Sequence, residues 1–300
     1  MKIVTCIYDK SDGPPLYGRG GRGKWYRESL RCLAGMGKSI VLYVNPIDVV
    51  FFEEYYKVYK NILIKPFDIE VEYDKHPLIN SIRQLHTTDR PDFYYEIAYC
   101  KMVFLRKEIL LDSSEENFFW MDAGLSNFLT IPFKYFVESP KNHLEYTDIE
   151  DVSYNAYKMF TPGFADGLDK LARSKLFFIG CSNPHNPPIP QLYTKNIYSD
   201  SSNVIGGIFG GDSRLLTVFI DKFEMKVAEL LEQNLLYTEE SIMQSVVTDL
   251  PMQDDILIPK FDTWHHSQTF DAWGADYGNP ELDQKPYYKI LAEIPGYASV

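Results

Sequence analysis

Three hundred residues with 45% hydrophobic content are enough for one large α/β domain or two small ones, with a core on both faces of a sheet. A net charge of −12 argues against non-specific nucleic-acid binding, and no nucleic-acid partner is expected. No apolar run approaches the roughly 20 residues of a membrane span, so no transmembrane segment is predicted.

Cys6, Cys32, Cys100 and Cys181 show no CxxC or Cys–His spacing and read as reduced thiols, which suits a cytosolic protein. The N-terminus, "MKIVTCIYDKSD", has too short an apolar run for a signal peptide. A tyrosine-rich chain, with 22 Tyr, suits polyhydroxylated ligands such as sugars, although tyrosine also fills cores.

In chain order, "IVTCIY" (Ile3–Tyr8) is a β-branched run that predicts the first strand. The loop "DKSDGPPLYGRGGRGK" follows, and helical periodicity runs from Trp25 to Gly35. "SIVLYVN" (Ser39–Asn45) is the second strand, Pro46 opens a helix through Tyr59, and "NILIKPF" is the third strand. A strong helical pattern covers Tyr94 to Leu111, and "NFFWMD" ends a fourth strand on a carboxylate.

From Pro132 to Lys175 the pattern is less regular. "KLFFIGCS" (Lys175–Ser182) and "NVIGGIFGG" are further strands, and Asp212 or Ser213 caps a helix to about Gln233. Thr238 caps the helix "TEESIMQSVV", and "DDILIP" is a late strand. Strands apolar on both faces and alternating with helices predict a mostly parallel sheet in an α/β/α sandwich. With no repeat or linker visible, the simplest division is a single domain over 1–300 with a C-terminal extension.

Charge is uneven. Residues 1–40 carry eight Lys or Arg against three Asp or Glu, a local +5 on a remainder of −17. Such a segment suits a compact anion such as a diphosphate, or forms a solvated basic face. Ligands of open α/β sheets bind beyond the carboxyl ends of strands, where Asp122 is placed. The small Ala123 and Gly124 let a ligand approach the backbone there, and a carboxylate suits a divalent cation.

Lys101 falls near the centre of the apolar face made by Ile97, Phe104, Leu105 and Ile109. It must pair, with Glu108 as the nearby acid, or bind an anion. "GGIFGG" (Gly206–Gly211) marks close packing or backbone laid open to a ligand, and is not a dinucleotide fingerprint. Glu239 and Glu240 occupy a first helical turn, where acids also favour the helix dipole. His265 and His266 could complete a cation's coordination and would favour Mn2+ over Mg2+.

Taken together, "IVTCIYD", "FFWMDAGL", "GGIFGG" and "EESIMQ" resemble the HtrL/YibB-like family, associated with lipopolysaccharide core gene regions, and more broadly GT-A-fold glycosyltransferases. The resemblance spans most of the chain through short motifs, of which "WMDAG" is the most specific. It implies a GT-A-like, Rossmann-type fold with a nucleotide-binding half (1–130) and an acceptor-binding half (131–300).

It also implies a hexosyltransferase that uses a nucleotide-sugar donor, a UDP-sugar first, and a glycan acceptor in surface polysaccharide or lipopolysaccharide synthesis. The expected place is the cytoplasm, at the inner membrane face. Thr5, Tyr8, Arg19, Arg22, Lys101, Asp122 and Ala123 would hold the nucleotide, and Gly206, Gly207 and Glu239 the sugar. Glu240 would be nucleophile or stabiliser, and Asp122 with His265 or His266 would bind Mn2+ or Mg2+. The family's Asp-x-Asp lacks its second acid here, which keeps a non-catalytic glycan- or nucleotide-binding protein as the alternative. A dinucleotide-dependent oxidoreductase lacks its glycine fingerprint.

Overall fold

The computed structural model describes residues 1–8, 23–73, 75–85, 94–124, 162–182, 202–257 and 260–261. The first half alternates strand and helix: β1 (Lys2–Ile7), α1 (Gly23–Ala34), β2 (Ser39–Val44), α2 (Val49–Tyr55), β3 (Ile62–Pro66), α3 (Ile69–Tyr73), α4 (Pro77–Leu85), α5 (Tyr94–Leu111) and β4 (Asn117–Met121). There follow α6 (Pro162–Leu171), β5 (Leu176–Ser182), β6 (Ser202–Asp212), α7 (Ser213–Glu232), α8 (Glu239–Asp249), β7 (Ile256–Leu257) and β8 (Lys260–Phe261). The predicted helix from Pro46 to Tyr59 divides into a 3-10 turn at Pro46–Asp48 and α2, which ends at Tyr55. Within the stretch that reads as irregular, Pro162 opens α6 from a first-turn position.

One sheet runs in the order β3-β2-β1-β4-β6-β5-β7, with β8 also beside β5. Every pairing is parallel except those of β6, which is antiparallel to both β4 and β5. The class is α/β with a mixed, mostly parallel sheet, as the alternating pattern predicts.

All five residues of β4 are buried. Phe118 and Trp120 enter the cluster shared with α4, α5, α7 and α8, while Phe119 and Met121 enter the one shared with α1, α2 and α6. Period-two alternation therefore stabilises both layers from one strand, each buried aromatic contributing about 1.5–3 kcal/mol.

The order β3-β2-β1-β4 puts β1 and β4 side by side after the chain has wound out to β3 and back. In open α/β sheets such a reversal is where a ligand crevice forms, at the carboxyl ends of the two strands. β6 carries a second irregularity. Its pairing with β5 jumps from Phe178–Phe209 to Ile179–Ile205, so Gly206, Gly207 and Ile208 bulge out of that ladder. Gly210 and Gly211 lie where neighbouring strands close on β6: a Cβ on Gly211 would sit 2.1 Å from the Lys175 carbonyl oxygen.

Candidate functional site

Asp122 is the first residue beyond β4, at the crevice the strand order creates. Its backbone N–H donates to Gly207 O at 2.8 Å, which ties the end of β4 to the bulge in β6. Asp122 stands on the α5 side of the sheet with Trp120, whose Nε1–H donates to Oδ1 at 2.6 Å. Trp120 opens the "WMDAG" motif but has no role in the sequence reading. Its signal is a polar-tipped aromatic two residues before an acid, on one strand face.

Lys101 reaches the same place from α5. Its ammonium is buried and meets three oxygens: Glu239 Oε1 at 2.9 Å, Gly206 O at 3.0 Å and Asp122 Oδ1 at 3.1 Å. Three acceptors match the three N–H groups of an ammonium. Burial alone would lower the lysine pKa. The carboxylates of Asp122, Glu239 and Glu240 outweigh it and hold the group charged, well above its ordinary range. The pairing with Glu108, one of the two roles the helical projection leaves open, is not made. Glu108 instead accepts from Tyr43 Oη and Lys65 Nζ, each at 2.6 Å.

The bulge explains the choice of glycine. Out of the β5 ladder, the Gly206 carbonyl accepts from Lys101 and its N–H donates to Glu240 Oε1 at 2.8 Å. A Cβ there would lie 3.0 Å from Glu239 Oε1 and 3.2 Å from both Glu240 Cγ and Lys101 Nζ. Thr238 caps α8 by accepting from the Ser241 N–H, which fixes the two glutamates in the first turn and aims them at Gly206.

Burial first, then the neighbouring Glu239, pushes the Glu240 carboxyl up to about 7. Asp122 is also raised by burial, against the opposing pull of Lys101 and Trp120. A third of its side chain remains exposed, and Oδ2 takes no hydrogen bond among the described residues.

The structure thus brings together Lys101, Asp122, Gly206, Gly207, Glu239 and Glu240. The first-strand candidates fall elsewhere. Thr5 is fully buried on the opposite, α1 face with Ile3 and Ile7, and its Oγ1 has no hydrogen-bond partner among the described residues. Tyr8 is on the α5 side, but its hydroxyl donates to Phe67 O at 2.8 Å. Ala123 is buried in the cluster shared with α1 and α6.

Cys6 and Cys100 are free thiols. Both are pushed upward, chiefly by burial, which makes them inert. Arg19, Arg22, His265 and His266 lie outside the described residues.

Among the described residues no group of three His, Cys, Asp or Glu is arranged to hold a metal by itself. What the site offers a cation is Asp122 Oδ2, a hard oxygen donor suited to Mg2+ or Mn2+ with water and phosphate oxygens as the other ligands. Charge also fits. One ammonium faces three carboxylates, so the unaided cluster repels a diphosphate and attracts a divalent cation.

The frame is thus that of an α/β protein with a polar cluster at its topological switch point. No protein-family model matches the chain, and no curated protein does. Among solved structures, 4-diphosphocytidyl-2C-methyl-D-erythritol synthase from Anaerococcus prevotii aligns at 10% identity and a TM-score of 0.43, over 97% of this chain and 96% of that one. Mouse xyloside xylosyltransferase 1 aligns at 7% identity and a TM-score of 0.46, over 92% and 94%. At such scores the likeness decides nothing about activity, and function is argued from the site's own geometry.

Proposed function

We propose that this protein is a nucleotide-sugar-dependent glycosyltransferase of the GT-A type, related to the HtrL/YibB-like group its motifs resemble. It would move a hexose from a UDP-sugar to a glycan acceptor in surface polysaccharide synthesis. The observation that carries this is the acid at the switch point: among the described residues Asp122 has one oxygen without a hydrogen bond, and Lys101 and Gly206 tie it to Glu239 and Glu240.

A divalent cation on Asp122 Oδ2, with His265 or His266 as a further ligand, would neutralise charge on the departing diphosphate. Asp122 orients that oxygen because its other one is fixed by Trp120 and Lys101. Glu240 supplies negative charge beside the electron-poor anomeric carbon, where a carboxylate stabilises an oxocarbenium-like centre. Gly206 N–H fixes the carboxylate's direction, and Gly207 would let the sugar come close to the backbone. The basic segment with Arg19 and Arg22 follows β1 in sequence and would suit the nucleotide's phosphates.

The test is nucleoside diphosphate release from a panel of nucleotide sugars with Mn2+, with and without glycan acceptors. Asp122→Ala should lower release at least about a hundredfold. No release from any donor would overturn the proposal. A second reading, a non-catalytic binder, draws on the buried Ala123 and Gly124 that stand where a second acid would extend the motif. Calorimetry that finds a nucleotide sugar bound but unconsumed would favour it.

A further inference from the structure

Lys101 reads from sequence as an anion holder, but the geometry gives it different work. Its three oxygen neighbours come from three separate elements: the end of β4, the bulge of β6 and the first turn of α8. With those positions filled, no N–H is left to reach a phosphate. Its nearest effect on a ligand runs through Asp122. The ammonium and the Trp120 indole both address Oδ1, which leaves Oδ2 for anything that binds from the crevice. A carboxylate so occupied coordinates through one oxygen, and a positive charge 3.1 Å away opposes a second cation.

Resting on the transferase reading above, we propose that Lys101 is a positioning residue. It pins Asp122 through Oδ1, presents Oδ2 as its single ligand oxygen, and holds down the cluster's own affinity for a divalent cation. The cation therefore arrives in company with an anionic ligand whose charge offsets the lysine. A residue with a merely structural role would lose cation affinity on replacement. Lys101 should show the opposite sign.

The experiment measures free Mn2+ by electron paramagnetic resonance during titration of the full chain, with Mn2+ alone and with Mn2+ plus uridine diphosphate. Lys101→Met should bind Mn2+ alone at least about tenfold more tightly than wild type. That is the size of effect one nearby opposite charge has on a carboxylate's proton affinity. Lys101→Arg keeps the charge and should stay near wild type.

Because Lys101→Met leaves Glu239 buried without its cation, the paired variant K101Q/E239Q serves as a second arm. It should also bind Mn2+ more tightly than wild type, although it has one carboxylate fewer. Mn2+ affinity equal to or below wild type in folded variants, judged by circular dichroism, would overturn the role assigned to Lys101. The uridine diphosphate arm separates the two proposals. Tighter Mn2+ binding in the variants, with no response to the nucleotide in any protein, would leave the lysine's role standing and sink the transferase reading.

Discussion

Glu240→Gln offers the most direct check on the electrostatics of the site. The amide keeps an acceptor for the Gly206 N–H and cannot ionise. In the folded protein the Glu240 carboxyl is pushed up from 4.5 to about 7, by burial first and by Glu239 second. The folded chain then holds a proton that the unfolded chain has lost, so stability falls as pH rises from 4.5 to about 7 and is level beyond. At 1.36 kcal/mol per unit, that gap amounts to about 3 kcal/mol.

Wild type should therefore lose about that much stability between pH 4 and pH 8 relative to Glu240→Gln, while a constant offset from the amide cancels in the comparison. Urea denaturation across this range gives both curves, with equal m values required. A wild-type stability that holds constant or rises with pH relative to Glu240→Gln would refute the placement of Glu240. If the variant gains stability at pH 8 and loses donor turnover, the carboxylate is retained for chemistry at a cost in stability.

Two further outcomes follow from the fold. Gly211→Ala forces a methyl to 2.1 Å from the Lys175 carbonyl oxygen at a φ of +130°, and should cost at least about 3 kcal/mol in urea denaturation. Asp212→Ala removes the side-chain acceptor for the Arg214 and Leu215 N–H groups at the start of α7, and should cost about 1 kcal/mol with donor turnover unchanged.

The elements were legible where local chemistry decides them. The helix predicted over Tyr94–Leu111 has those bounds, β2 starts at Ser39 as predicted and ends one residue early at Val44, and Thr238 and Asp212, the latter one of two candidates, cap their helices. Asp122 was legible because an acid ending a run of buried apolar residues stands out. Lys101 was equally visible as a charge on an apolar face, yet its partner was not. Glu108 is seven residues away in sequence, whereas Glu239 is 138 residues away and only the tertiary fold brings it near.

The orientation of Thr5, away from Asp122, has a similar cause. β1 is apolar on both faces, so its sequence does not say which alternate residues look toward Asp122. The reversed direction of β6 and its three-residue bulge leave just two clues, a long strand and a pair of glycines. What makes Gly206 informative is the backbone it frees, and no side-chain pattern records that.

The separation between Lys101 and its acceptors also bears on synthesis. As a nascent chain emerges, Lys101 and Asp122 appear more than a hundred residues before the first turn of α8. A chain interrupted anywhere in between would carry the cation and the crevice acid without the glutamates that complete them. Any turnover by this protein should thus report a chain translated at least through Glu240, with truncated products silent.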